Sequence, residues 1–395
     1  MGWFNRRTGG PPEESRDMGY LPPGWRVPNT NSGTRVDEES SLKQGVVYAA
    51  VTLISDGVAS LKPRAYQEDS EGHHQYIPVP TWIQKPHPEI RRYEIFNQLL
   101  VSALLWGNGY ALIIRRPSDD QIIGLRPLDP VRVRVEWNPD RPGYRRYQIN
   151  GSDAWLTSHD IFHLQGPTLP ERPGGMSVIQ HARESIGLGL TLEEFGARFF
   201  GQGAQHRVVI ESPNNLNYEQ ARNLADNYMH AHSGPSNWHG VSVASGGSKI
   251  QTVTIPPNEA QFLDSRDFQG YEIARWFRVP PHRVGLVSKS TSWGSGLAEE
   301  NLAMYQNTFR PWITRLEDAL TAYTAYGQES GTRIELDTSE MLRGTFKELV
   351  TMAVELSSND ILNRTEARAL IGYPSDGRSE FTGTGTDTQQ PASIV

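Results

Sequence analysis

Cysteine is absent from all 395 residues, so neither a disulfide framework nor a thiolate metal site can be built, and a reducing compartment is the natural setting. A long apolar run is missing too. The most apolar window, Phe96 to Ile114, is broken by Asn97, Gln98, Ser102, Gly107, Asn108 and Gly109, too much polarity for a lipid-spanning helix. The start of the chain has Arg6 and Arg7 with no apolar stretch behind them, which leaves no signal peptide to read, and Arg6 stands where a myristoylation signal wants Ser or Thr. The reading is a protein without a membrane partner. Positive charge is in deficit: the net charge is −7 and the pI is near 5.9, the wrong sign for a protein that grips phosphates by counterion release. That excludes a repressor or histone-like binder. It leaves room for a protein that surrounds DNA and lets it slide, because an acidic or neutral lining avoids sticking.

The motifs of common enzyme chemistries are missing as well. A P-loop needs Gly-Lys before Ser or Thr, and the chain has no Gly-Lys pair; Gly246-Gly247-Ser248-Lys249 reads as a turn between strands. No Gly-x-Ser-x-Gly nucleophile elbow occurs. His159 and His163 have zincin spacing but sit in a strand pattern, where positions four apart lie about 13 Å from each other and cannot share one metal. His230, His232 and His239 lack a carboxylate to complete a ligand set, and Glu193-Glu194 and Glu299-Glu300 read as solvated helix faces. The expectation is a non-enzymatic protein with no cofactor and no metal.

What is present is a mixed α+β pattern between two polar ends. Residues 1–40 are rich in Gly, Pro, Ser, Arg and Glu, residues 375–395 in Gly, Thr, Ser and Gln, and both read as flexible tails. Val46, Val47, Ala50, Val51, Ile54, Val58 and Leu61 recur at helical spacing, and Arg92 to Trp106 predicts a second helix. Strands are expected over Tyr110 to Arg115, around Val131, Val133 and Val135, over Tyr144 to Ile149, and over Asp160 to Leu164. A long helix is expected from Ser177 to Phe200, with Val178, Ala182, Ile186, Leu190, Phe195 and Phe199 able to line one face. Its Gly187, Gly189 and Gly196 each cost about 1 kcal/mol against alanine and imply close packing on a neighbour. A βαββ insert follows: strand Arg207 to Glu211, helix Tyr218 to His230, strands Gly240 to Ala244 and Ile250 to Ile255. Asn258, with Gln261 three residues on, can cap the next helix, which Val279-Pro280-Pro281 ends. After a polar stretch, Leu302, Tyr305, Phe309, Ile313, Leu316, Leu320 and Tyr323 mark a helix in which Pro311 predicts a kink.

In this order the elements carry a set of short motifs: Pro86-His87-Pro88, Phe96, Gly107-Asn108-Gly109-Tyr110, Leu128-Asp129-Pro130, Gly175-Met176-Ser177-Val178, Ile273-Ala274-Arg275-Trp276-Phe277-Arg278-Val279-Pro280-Pro281, Pro311 to Glu317, and Thr365-Glu366-Ala367-Arg368 with Pro374. The ordered set resembles the HK97-type family of phage portal proteins over roughly Gly45 to Pro374. Four positions depart from the family's habit: His87, Gly109, Val178 and Arg278, where Asn, Ala, Pro and Gly are common.

The resemblance implies a portal fold: a mixed α/β wing, two long stem helices, a small βαββ clip, a kinked tunnel helix and a helical C-terminal region. The implied division is a flexible tail 1–40, wing 41–176, stem helices 177–205 and 257–278, clip 206–256, tunnel loop 279–296, tunnel helix 297–323, C-terminal wing or crown helices 324–374, and a tail 375–395. It implies a ring of twelve copies at one capsid vertex of the virion, assembled in the host cytoplasm and forming the channel for DNA packaging and ejection. The implied partners are other copies of itself, double-stranded DNA without sequence preference, the large terminase subunit, the major capsid protein, and head-tail adaptor or neck proteins. Ser288, Lys289, Ser290, Thr291, Ser292 and Trp293 would face DNA in the tunnel loop. Asn214, Asn215, Pro235, Ser236, Asn237 and Trp238 would form the clip turns that meet the terminase and then the neck. Two rivals are a head-tail adaptor ring, which should be shorter and lack two helices bracketing a clip, and a packaging-associated nuclease or protease, which should show a carboxylate cluster.

Overall fold

Pro311 is the sharpest local prediction, and the chain absorbs it as a turn of π-helix over Tyr305–Phe309 directly before the helix that contains it. A proline ring clashes with the carbonyl four residues back, and a wider turn relieves that clash. The protein is described here by a computed structural model that covers residues 30–68, 74–201, 207–213, 215–232, 249–253, 259–286, 300, 302–325, 331–342, 346–359 and 361–371. These fall in two units, one drawn from residues 1–293 and 303–337, the other from 294–302 and 338–395.

The larger unit contains, in chain order, α1 (Glu38–Ser41), α2 (Gly45–Ala59), β1 (Lys62–Glu68), β2 (His74–Ile77), α3 (Thr81–Gln84), α4 (Arg92–Trp106), β3 (Asn108–Arg115), β4 (Ile122–Leu128), β5 (Val133–Trp137), β6 (Arg145–Ile149), β7 (Trp155–Thr157) and β8 (Ile161–Gln165). It continues with α5 (Val178–His181), α6 (Arg183–Gly201), β9 (Arg207–Glu211), α7 (Tyr218–His232), β10 (Lys249–Val253), α8 (Glu259–Trp276), α9 (Arg310–Ala325) and β11 (Thr332–Asp337). The smaller unit holds α10 (Ser339–Leu342), α11 (Phe346–Ser358) and α12 (Arg364–Leu370), with α11 and α12 packed together. The class is α+β, and every described strand pair is antiparallel.

Helix α2 buries Val47, Ala50, Val51, Ile54 and Val58, the stripe its spacing predicts, against α4. Each of the valine and isoleucine side chains contributes about 1.5–3 kcal/mol when fully removed from water. Helix α4 lies on β3, the centre of the β4-β3-β8 sheet, and a second sheet, β5-β6-β7, closes the core through Val133, Val135 and Tyr147 packed on Tyr110 and Ile161.

Several expectations need correction. The helix expected as one piece over Ser177 to Phe200 is interrupted at Ala182, whose φ of −84° and ψ of 4° leave the helical region. Its apolar face is also shorter than expected: Ala182 and Ile186 are buried, but Phe195 is 46% exposed. Tail character ends before residue 40. Asn31 donates its backbone N–H to Glu184, Thr34 and Thr191 share a hydroxyl hydrogen bond, and an added Cβ at Gly187 would sit 2.6 Å from Thr30. The glycine of α6 is thus explained by close packing, with the neighbour being this N-terminal segment. Asn258 and the strand expected at Gly240 to Ala244 lie outside the described residues.

Strand β11 was not anticipated, although Thr332, Ile334 and Leu336 alternate inward along it. It pairs with β1 at the edge of the β11-β1-β2 sheet. Its outer N–H groups are taken by α9: Leu336 donates to Glu317 Oε1 at 2.8 Å and Ile334 to Thr321 Oγ1 at 3.0 Å. Side chains of a helix thereby close an open sheet edge. Glu317→Ala is expected to cost about 1–3 kcal/mol, because the Leu336 N–H loses its acceptor. Burial pushes the Glu317 carboxyl above the usual range, against the downward pull of the Leu336 hydrogen bond. A carboxyl raised on folding contributes stability below its unfolded pKa and loses it as pH rises through the folded value. Glu317→Gln retains an acceptor without the charge, so its stability relative to the parent should improve from pH 5 to pH 8 in denaturant titrations. A relative stability independent of pH would remove the buried carboxylate from the account.

Candidate functional site

The two residue groups assigned to DNA and to motor contacts are for the most part beyond the described residues. Ser288, Lys289, Ser290, Thr291, Ser292 and Trp293 lie outside them, as do Asn214, Pro235, Ser236, Asn237 and Trp238. Asn215 is described and exposed, two residues before the cap of α7. That cap is a reciprocal pair: Gln220 N–H donates to Asn217 Oδ1 at 2.8 Å and Asn217 N–H to Gln220 Oε1 at 3.1 Å. Beside it Leu216 and Tyr218 are 40% and 83% exposed, side chains the sequence reading passed over.

The flanks of both groups are well defined. Strands β9 and β10 pair from Arg207↔Val253 to Glu211↔Lys249, which brings the two ends of the insert together. Helices α6 and α8 bracket that insert in sequence and pack on one another, with Gln269 Nε2 donating to the Ser185 carbonyl and hydroxyl at 2.7 Å. At Gly189 a Cβ would come into contact with Gln269 and Ile273 at 3.4 Å, so this face of α6 lies close against α8.

The shared motifs converge on a buried joint at the end of α4. Gly107 has φ +77°, the left-handed conformation that ends a helix, and its carbonyl accepts Gly166 N–H at 2.8 Å. Asn108, next in sequence, accepts Gly175 N–H (2.7 Å) and His163 Nε2–H (2.9 Å) on Oδ1, and donates from Nδ2 to the Gly175 and Trp106 carbonyls (both 3.2 Å). His163 Nδ1 then accepts from the Tyr147 hydroxyl at 3.2 Å, so the neutral Nε2–H tautomer satisfies both ring nitrogens. Full burial holds His163 well below the ordinary histidine pKa, with Arg145 adding to the shift. Ser177 donates to the Leu105 carbonyl and caps α5 by accepting Gln180 N–H. His159 is exposed and pairs with Asp120 instead, so the two histidines serve different sites. Among the described residues no group of His, Asp and Glu could hold a metal ion, and no helix is long and apolar enough to cross a membrane.

Other motif residues are local devices of the same kind. Asp129 Oδ1 accepts Val131 N–H at the start of a 3-10 turn. Asn363 and Glu366 form a reciprocal cap on α12. The four departures also have physical accounts. His87 Nδ1 accepts the N–H groups of Glu89 and Ile90 at 3.2 Å, as an asparagine oxygen would. Gly109 passes so close to α4 that an alanine Cβ would lie 2.3 Å from the Leu99 carbonyl oxygen. Val178 is the first helical residue after its cap, where proline is favoured but not required. Arg278 has φ +56° just past α8: its N–H bonds the Arg275 carbonyl, and Val279 N–H bonds that of Ala274. That is the Schellman pattern, whose left-handed residue is usually glycine.

The sequence model described as phage portal protein matches residues 45–372. The probable portal protein of Streptomyces phage phiC31 is 34% identical over 351 residues, covering 86% of this chain and 76% of that protein. The portal protein of Enterobacteria phage HK97 is 28% identical over 316 residues, covering 78% and 74%. Among solved structures, an HK97 family phage portal protein from Corynebacterium diphtheriae shares the fold, with a TM-score of 0.59 at 16% identity, covering 77% of this chain and 96% of that one.

Proposed function

This chain belongs to the phage portal protein family, and from that premise we propose that its copies close into a ring, twelve in number, at one vertex of a capsid, enclosing the channel through which DNA is packaged and ejected. The observation that carries the reading is the family match over residues 45–372, within which the motifs form a set of structural joints and caps instead of a catalytic cluster. The role is structural.

In this reading the sheets and helices of residues 41–176 are the wing, and α6 and α8 are the stem. Their mutual packing and the pairing of β9 with β10 support placing the clip, 206–256, between them. The clip meets the terminase motor and later the neck, the wing meets the capsid shell, and residues 279–296 face the DNA with Ser288 to Trp293. Closure is head to tail, through a heterologous interface whose rotation returns to its start. Twelve copies at −7 each carry −84, so the assembly as a whole repels the polyanion it encloses and grips it only locally.

Electron microscopy of the purified protein, classified by symmetry, tests the proposal. Rings with a central hole are expected. Particles that stay single when coexpressed with the capsid shell protein, or closed particles without a channel, would overturn it.

A further inference from the structure

The β5-β6-β7 sheet is covered on one side. Val133, Val135, Tyr147 and Leu156 pack on the core, so the alternate positions share the opposite face: Arg134 and Glu136 on β5, Arg146 and Gln148 on β6, Trp155 and Thr157 on β7. The register sets Arg134 in one row with Gln148 and Trp155, and Glu136 in the next row with Arg146 and Thr157. One carboxylate thereby holds two guanidiniums. Glu136 Oε1 accepts Arg146 Nε at 2.7 Å together with its Nη2, and Oε2 lies 3.0 Å from Arg134 Nη2. Both guanidiniums also lie over the Trp155 ring, Arg146 at 4.0 Å from its centre and Arg134 at 5.8 Å. Arg132, two residues before Arg134, is exposed, and among the described residues no carboxylate lies within ion-pairing distance of it.

Residues 131–149 carry five arginines against two carboxylates, Glu136 and Asp140, in a chain whose net charge is −7. Stability gives little reason for this concentration, because exposed ion pairs and exposed cation–π contacts contribute no more than the ordering of long side chains costs. What the contacts achieve is preorganisation: two planar guanidiniums are fixed on a flat, open face, and each keeps donors that Glu136 does not occupy. Arginine forks suit phosphate oxygens, and such contacts carry no sequence information. We propose that the face of the β5-β6-β7 sheet bearing Arg132, Arg134 and Arg146 binds the phosphodiester backbone of duplex DNA. The inference rests on the portal reading for its ligand, and it places a DNA contact on the wing in addition to the one assigned to residues 279–296. Glu136 tempers the contact, since one carboxylate shared by two arginines leaves the face positive but weakly so.

The test is titration of a fluorescein-labelled 30-base-pair duplex with the full-length protein at 50 to 200 mM salt. Arg134→Gln should weaken duplex binding about three- to tenfold at low salt and lower the slope of log affinity against log salt by about one. Glu136→Gln should do the reverse and strengthen binding about three- to tenfold, because the amide still accepts a hydrogen bond while two guanidiniums lose their counter-charge. Opposite signs from neighbouring positions exclude loss of fold as a common cause. Arg64→Gln, the same change of charge on the β11-β1-β2 sheet, should bind within about twofold of the parent. No duplex binding by the parent at 50 mM salt, or binding by Arg134→Gln and Glu136→Gln equal to that of Arg64→Gln, would overturn the inference. Tighter binding of fluorescein-labelled decaglutamate than of the duplex would reassign the face to an acidic protein segment, and so overturn the DNA assignment. Microscopy of the same samples keeps the two readings apart. Rings whose duplex binding ignores both substitutions refute this face alone, whereas single particles whose binding responds to them keep the face and count against the ring.

Discussion

Gly175→Ala is expected to leave little folded protein. A Cβ at residue 175 would lie 2.1 Å from the Gly107 carbonyl oxygen and 2.9 Å from the Gly166 nitrogen, and all of these are backbone atoms. No rotamer change can open the space, because Gly107 ends α4, Gly166 leaves β8 and the two are hydrogen-bonded. Overpacking that the backbone must absorb costs roughly 1–3 kcal/mol even in forgiving sites, and this one should exceed about 3 kcal/mol. Gly45→Ala is the control: a Cβ there meets nothing within 4 Å, and the change should stay within about 0.5 kcal/mol of the parent. Thermal melts and soluble yield of the two variants measure the contrast. Comparable stability would mean that the 107–166–175 crossing is looser than its geometry indicates.

Asn108→Ala strikes the same joint through its polar groups. Oδ1 is the acceptor for both Gly175 N–H and His163 Nε2–H, so the truncation leaves buried donors on two segments without a partner. Each such orphan costs about 1–3 kcal/mol, and the variant is expected to lose roughly 3–5 kcal/mol. The joint also sets a pH dependence. His163 is held below its ordinary pKa, mainly by burial. A histidine depressed on folding leaves the unfolded chain to take up the proton first, so its contribution is present above the unfolded pKa of about 6.5 and is lost as pH falls below it. Stability should decline by up to about 1.4 kcal/mol per pH unit from this group as the medium is acidified below 6.5. Denaturant midpoints at pH 7.5, 6.5 and 5.5 measure it for the parent and for His163→Gln. If the variant declines as steeply as the parent, the slope belongs to other groups.

The joint also shows how far residue patterns reach. The Gly-Asn-Gly-Tyr and Gly-x-Ser motifs were legible as family signatures, yet their purpose was not, because 67 residues separate Asn108 from Gly175 and only the folded chain sets them 2.7 Å apart. Glu317 was legible as a motif residue in the same sense; its work depends on β11, whose short alternation at Thr332, Ile334 and Leu336 was there to be read. Arg278 stood out as a departure from glycine, but its left-handed backbone had no trace in spacing.

The sequence by itself determined the elements whose cause is local: α2 and α4 from apolar periodicity, the turn at Asp129-Pro130 from its own side chain, the disturbance at Pro311 from a missing N–H. It also determined the family, through motifs kept in order. Tertiary structure alone decided where the helix expected over Ser177 to Phe200 is interrupted, that residues 30–34 dock on α6, that β11 closes a sheet with β1, and which glycines are obligatory. The physical reason is one of range. Periodicity and capping act over three or four residues and leave their mark on the residues that use them, whereas a close approach of two backbones is a property of both segments at once and marks neither until they meet.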